Sequence, residues 1–214
     1  KEELLQFCQT LERNRSVIID PEALLEKTKT GKVFCFGIKE GSEAIVATGE
    51  LILEPDGEAY LLYLTVDEDK RGKRFNAAGE ADESGDKLHE KLTRARVEVA
   101  RERDCKILTT DVSIENPKAL AIKLDSRDRG EDDDRGYIIS DVNADTGYLR
   151  LEKPLDGRQF TDETGPTKNI ELSPDRLPEL KEMLKEWAGV TLELRQSAGQ
   201  TINILTLRKK IKQS

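Results

Sequence analysis

Apolar residues recur at helical spacing across the first thirty positions, with Leu4, Leu5, Phe7, Cys8 and Leu11 in one segment and Leu24 and Leu25 in the next. Asp20-Pro21-Glu22 reads as an N-cap with proline in the first turn, and Gly31 as the stop of the second helix. The pattern then turns to β. Val33–Ile38, Ile45–Leu53 and Tyr60–Val66 are rich in strand formers, and Glu40-Gly41-Ser42 and Pro55-Asp56-Gly57 supply the turns between them. Three strands with such short connections pair antiparallel.

Residues 67–84 are almost wholly polar, a long loop of the kind that carries function. Ser84 reads as the N-cap of a helix opening at Gly85-Asp86-Lys87-Leu88, with Leu88, Leu92, Ala95 and Val99 on one face to about Arg103. A strand over Ile107–Val112 follows, then a helix from Pro117 with Leu120, Ala121 and Leu124. This strand–helix–strand crossover predicts one parallel pair in the sheet. Tyr137–Val142 and Tyr148–Leu151 read as a hairpin around Asn143–Gly147. Residues 154–172, with Pro154, Gly157, Gly165 and Pro166, read as a linker. A helix capped at Ser173-Pro174 and carrying Leu177, Leu180, Leu184 and Trp187 precedes strands over Thr191–Leu194 and Thr201–Leu207. The expected fold class is therefore α+β / α/β, a mixed and mostly antiparallel sheet with a central parallel pair flanked by helices. A domain over 1–153, a linker over 154–172 and an αββ accessory unit over 173–214 complete it.

Composition narrows the function classes. At 214 residues the chain is long enough for a sizeable core, and its 36% charged residues fit a soluble globular surface. A net charge of −8 argues against nucleic acid, whose affinity comes from cations neutralising phosphates, and favours a cationic partner. No apolar run approaches the ~18–20 residues of a membrane span. Cys8, Cys35 and Cys105 are odd in number and far apart, which predicts free thiols in a reducing, cytoplasmic setting. The single His89 rules out a Ser-His-Asp scheme elsewhere. The acidic run over 125–135 lacks EF-hand spacing, so no metal is expected there, although it could draw in a polyamine or a lysine-rich segment.

Strand, basic loop, helix, strand, Asn and helix then follow in a meaningful order. Val66-Asp-Glu-Asp-Lys-Arg71-Gly72-Lys73 is similar to the strand exit and pyrophosphate loop of the GCN5-related N-acetyltransferase (GNAT) family. Asn116-Pro-Lys-Ala119 resembles its Asn-x-x-Ala segment, and Gly136-Tyr137 stands where it has Gly-Phe. The resemblance covers about residues 1–153. It implies acetyl-CoA, or another acyl-CoA, as co-substrate and a cationic amine as acceptor. The pantetheine arm would run near Leu64 to Val66. The phosphates would lie at Arg71, Gly72, Lys73, Gly85 and Asp86, where the N–H groups of a helix start favour an anion, with Asn116 also on the cofactor side. Here the loop is split by Arg74–Ser84.

A free alkyl amine is mostly charged at neutral pH, and a carboxylate can remove that proton, directly or through water. Asp111 matches the acidic position that some family members carry, with Glu115 second. At the family's Tyr position, acid to the leaving thiolate, this chain has Lys123; Tyr137, Tyr63 or Tyr148 could substitute. The expected function is an acyl-CoA-dependent N-acyltransferase. In that enzyme the C-terminal unit would cover the acceptor site or mediate dimerisation; the rival is a catalytically degenerate relative that binds a partner through its acidic face.

Overall fold

The computed structural model describes residues 2–15, 20–40, 44–76, 82–125, 136–197 and 200–211. The acidic stretch from 126 to 135 and the loop from 77 to 81 lie outside the described residues. The chain folds as two compact units, 1–105 and 106–214. No helix among the described residues is long and apolar enough to cross a membrane.

The first unit contains α1 (Glu2–Arg15), α2 (Pro21–Lys29), β1 (Val33–Glu40), β2 (Ala44–Leu53), β3 (Glu58–Val66), β4 (Arg74–Phe75), β5 (Asp86–Lys87) and α3 (Leu88–Glu102). α2 begins as its sequence predicts: the Asp20 side chain accepts from the Glu22 N–H, and Pro21 stands in the first turn. β1, β2 and β3 form an antiparallel meander. Strand alternation sorts its two faces. Val33, Cys35 and Ile45 pack with Phe7, Cys8 and Leu11 of α1 and Leu24 of α2. Phe36, Ile38, Val46 and Ala47 pack with Phe75 of β4 and with Leu88 and Leu92 of α3.

The second unit contains β6 (Ile107–Ser113), α4 (Pro117–Leu124), β7 (Ile138–Asn143), β8 (Tyr148–Pro154), β9 (Thr167–Glu171), α5 (Leu177–Met183), β10 (Trp187–Ser197) and β11 (Gln200–Lys209). Within it the strands lie in the order β6-β8-β7-β10-β11-β9, and every pairing is antiparallel. The fold class is the mixed, mostly antiparallel α+β arrangement that the sequence predicts.

Four local readings are corrected. The helix after the polar loop starts at Leu88 rather than Gly85, because Asp86 and Lys87 are drawn into a ribbon with Arg74 and Phe75. Its buried face centres on Arg96, with Leu88, Leu92 and Ala100 in line; Gly49 on β2 leaves the room that the guanidinium fills. The stretch read as a linker contributes β9, which pairs with β11 from Ile204↔Glu171 to Arg208↔Thr167. Trp187 opens β10 rather than closing the preceding helix, and β10 meets β7 at Gly189↔Ile139. The C-terminal αββ segment thus continues the sheet of the second unit.

Candidate functional site

The β2–β3 ladder carries one irregularity. Thr48 pairs with Thr65 and Glu50 with Leu62, so Gly49 stands opposite two residues, Tyr63 and Leu64. Tyr63 has φ +47°, a left-handed conformation that bulky residues seldom take. The bulge re-aims side chains. Tyr63 joins the α1–α2 face and Leu64 the α3 face. Strained backbone of this kind concentrates at functional positions.

Beyond Val66 the chain turns tightly. Arg71 folds back, its Nε donating to the Val66 carbonyl at 3.0 Å, and Gly72 takes φ +76°. Asp67, at the strand exit, accepts from Arg13 Nη2 at 2.6 Å and from Asn14 Nδ2 at 2.7 Å, which ties α1 to the loop. Lys70 pairs with Glu40 at 2.6 Å, and the hydrogen bond from its ammonium to Glu40 holds its pKa above the ordinary lysine value. Arg71, Lys73 and Arg74 stay exposed.

The split in the loop is rejoined by geometry. Arg74↔Lys87 and Phe75↔Asp86 form a two-residue ribbon, so the insertion leaves and returns at one neck. Phe75 anchors that neck in the core at 2% exposure. Gly85 lies so close to it that a Cβ there would stand 2.2 Å from the Phe75 carbonyl oxygen. Arg74 Nη1 donates to the Gly85 carbonyl at 2.9 Å. The glycine is therefore set by hairpin closure. At the start of α3 the Lys87 N–H donates to Glu90 Oε2 at 3.0 Å, one half of a capping box.

The remaining sequence-predicted residues belong to the second unit. Asp111 is paired across β6–β8 with Arg150, at 3.9 Å between charged atoms. Both side chains are about one-third exposed, so the pair contributes little to stability. Glu115 is exposed at the end of the turn, and its N–H donates to Ser113 Oγ at 3.2 Å. Asn116 caps α4, its Oδ1 accepting from the Ala119 N–H at 3.2 Å, with Pro117 in the first turn. Lys123 and Tyr137 are brought together: Nζ lies 4.7 Å from the centroid of the buried ring, and the Tyr137 N–H donates to the Lys123 carbonyl at 2.9 Å. Such a contact is worth ~0.5–2 kcal/mol.

Sequence reasoning missed Glu50. It is 4% exposed in the middle of β2, and among the described residues its Oε1 has no hydrogen-bond partner. The Oγ1 of Thr48, two residues earlier on the same face, is likewise buried without one. Burial pushes the Glu50 carboxyl above its ordinary pKa, opposed by the charge of Lys27. Burial also pushes the thiol of Cys35, directly across the ladder, up to about 12, with the Glu50 charge adding to it. The available signal was one charged residue in Ile45–Leu53, an otherwise uncharged nine-residue run.

No family model matches the chain, and no curated protein does. Solved structures do match. The PaiA N-acetyltransferase from Thermoplasma acidophilum, solved in complex with coenzyme A, aligns over 72% of this chain and 93% of its own, at 12% identity and a TM-score of 0.51. The ribosomal-protein-S18-alanine N-acetyltransferase from Escherichia coli aligns over 77% and 93%, at 15% identity and 0.47. An acetyltransferase of the GNAT family from Staphylococcus aureus aligns over 72% and 92%, at 16% and 0.47. The chain has the GNAT fold.

Proposed function

We propose that this protein is an acyl-CoA-dependent N-acyltransferase acting on a cationic amine. The observation that carries the reading is the β3 bulge, with Tyr63 in a strained conformation and an exit loop that presents Arg71, Gly72 and Lys73. The fold shared with an N-acetyltransferase that was solved with coenzyme A supports it.

The donor set suits a phosphate-bearing group. Arg71, Lys73 and Arg74 are exposed cations on a loop that leads through a two-strand ribbon into a fifteen-residue helix. A helix start adds roughly half a positive charge. The acyl-CoA supplies an activated thioester. Around it the chain would orient the phosphates through these cations and hold the amine. Lys123 beside Tyr137 would lower the cost of a negative charge near that phenol.

One observation favours the rival, a degenerate fold that binds a partner. Glu90 places a carboxylate in the first turn of α3, where an anion would otherwise be welcome.

The test is thiol release from acetyl-CoA with a panel of primary amines, from lysine-like monoamines to polyamines. Amine-dependent release is expected, and its absence across the panel contradicts the reading. Asp111→Asn is expected to lower turnover less than tenfold, because Arg150 faces that carboxylate across the β6–β8 pair.

A further inference from the structure

β2 presents two polar side chains to the α1–α2 face of the first unit, Thr48 and Glu50, separated by Gly49. The assignment follows from alternation. Gly49 faces α3, where a Cβ would meet Arg96 Nε at 3.3 Å, so its two neighbours face the other way. Their partners in β1 are Gly37 and Cys35, and in β3 Thr65 and Leu62. The bulge adds Tyr63 to the same face. Gly37 lacks a side chain and is exposed, and Cys35 is half-buried, so this polar pair lies beside the outer edge of the meander.

Both groups lack what they need. Thr48 is 0% and Glu50 4% exposed, and Oγ1 and Oε1 have no partner among the described residues. A buried polar atom left without a partner costs ~1–3 kcal/mol, more if charged, and calls for an explanation. The nearest described donors are engaged elsewhere. Arg96 directs its guanidinium to the carbonyls of Leu92 and Glu50 and to Thr93 Oγ1, and Thr10 Oγ1 donates to the Ile45 carbonyl. Two buried oxygen atoms on one face, next to a strained bulge, suit a group that brings N–H donors and positive charge.

We infer that Glu50 and Thr48 form the acceptor-amine site, with the Glu50 carboxylate receiving the proton that the substrate ammonium must lose. This rests on the acyltransferase reading and moves the base from Asp111 to β2. The step balances. One N–H bond of the ammonium breaks, and its proton passes to Glu50 Oε1. The freed amine nitrogen then bonds the thioester carbon as the C–S bond breaks. The second amine proton leaves with the thiolate, and Glu50 returns its own to solvent. Around the carboxyl stand the thiols of Cys8 on α1 and Cys35 on β1, Lys27 on α2, and Arg96 at its own carbonyl. A carboxyl whose pKa is raised by burial is a stronger proton acceptor than an exposed one.

Two measurements test it. In the whole protein, the side-chain carboxyl of Glu50 is titrated by carbon NMR, identified by its loss in Glu50→Gln, with and without a saturating alkylammonium probe such as n-butylamine. The midpoint is expected to lie above that of the exposed glutamates and to fall when the amine is added. In kinetics, Glu50→Gln is expected to lower kcat at least a hundredfold and to remove the acidic limb of the pH profile, with coenzyme A binding retained; Glu50→Asp should restore part of it. A midpoint indifferent to amine, or Glu50→Gln turning over within threefold of the parent, overturns the inference. Failure of the acyltransferase reading shows separately, as no coenzyme A binding by the parent chain. In that case the amine-dependent titration still decides whether Glu50 takes an ammonium.

Discussion

Phe75→Ala is expected to lower stability by ~3–5 kcal/mol, the usual cost of truncating a fully buried aromatic residue. Phe75 is the one apolar residue of the ribbon neck, and it packs against Val46, Ala47, Leu88 and Leu92. Gly85→Ala should act at the same place from the other strand. Its Cβ would stand 2.2 Å from the Phe75 carbonyl oxygen and 2.8 Å from the Asn76 nitrogen, both backbone atoms that cannot rotate away. The neck must open, at ~1–3 kcal/mol for forced overpacking. For a chain of this length that is about 2–12 °C in melting temperature. The pairing of effects matters. A glycine conserving room only for a phosphate would leave ligand-free stability unchanged when replaced, whereas the neck predicts a lower melting temperature before any ligand is added.

The second large effect is a pH dependence centred on Glu50. Its folded-state pKa is raised by burial above the unfolded value of ~4.3. The folded state therefore holds this proton more tightly than the unfolded chain. The resulting stability is complete below the unfolded pKa and is lost as pH rises through the folded one. Glu50→Gln carries no titrating group. It should match the pH trend of the parent less the Glu50 contribution, so its relative stability should grow from about pH 4.5 upward. Chemical denaturation at pH 4.5, 6 and 8 measures this. A difference that stays constant or shrinks with pH contradicts a carboxyl whose pKa is raised by burial. A variant more stable at pH 8 yet slower in turnover is what a strained functional group produces when it is relieved.

Much of the architecture was legible from the chain. β-Branched and aromatic runs bounded by glycine and proline located β1, β2, β3, β6 and the β7–β8 hairpin to within a few residues. The Asp20-Pro21 pair and Pro117 marked two helix starts because first-turn preferences act between neighbours. What could not be read depends on partners distant in sequence. Gly85 looks like a helix opening until Phe75 claims it across the ribbon. Arg96 looks like a solvent-facing arginine until Gly49 clears space for it. β9 is short and polar, with only Ile170 buried, so its pairing to β11 leaves almost no periodic trace.

The candidate site was less legible than the fold. Asp111 and Asn116 were expected from a motif; Asp111 faces Arg150 across β6–β8, and Asn116 caps α4. Lys123 and Tyr137 were found fourteen residues apart and do meet. Glu50 carries no local signature beyond its charge, since alternation alone would assign it to water; the packing of α1 and α2 buries it.

Coenzyme A binding, read as a shift in thermal melting, tests the central claim most directly. A ligand at a hundred times its dissociation constant stabilises the fold by ~2.7 kcal/mol, about 5–11 °C at this chain length. Acetyl-CoA at millimolar concentration is expected to produce a shift of that order, and Glu90→Gln, which removes the carboxylate from the first turn of α3, is expected to enlarge it. An unchanged melting temperature in both proteins would contradict the acyltransferase account.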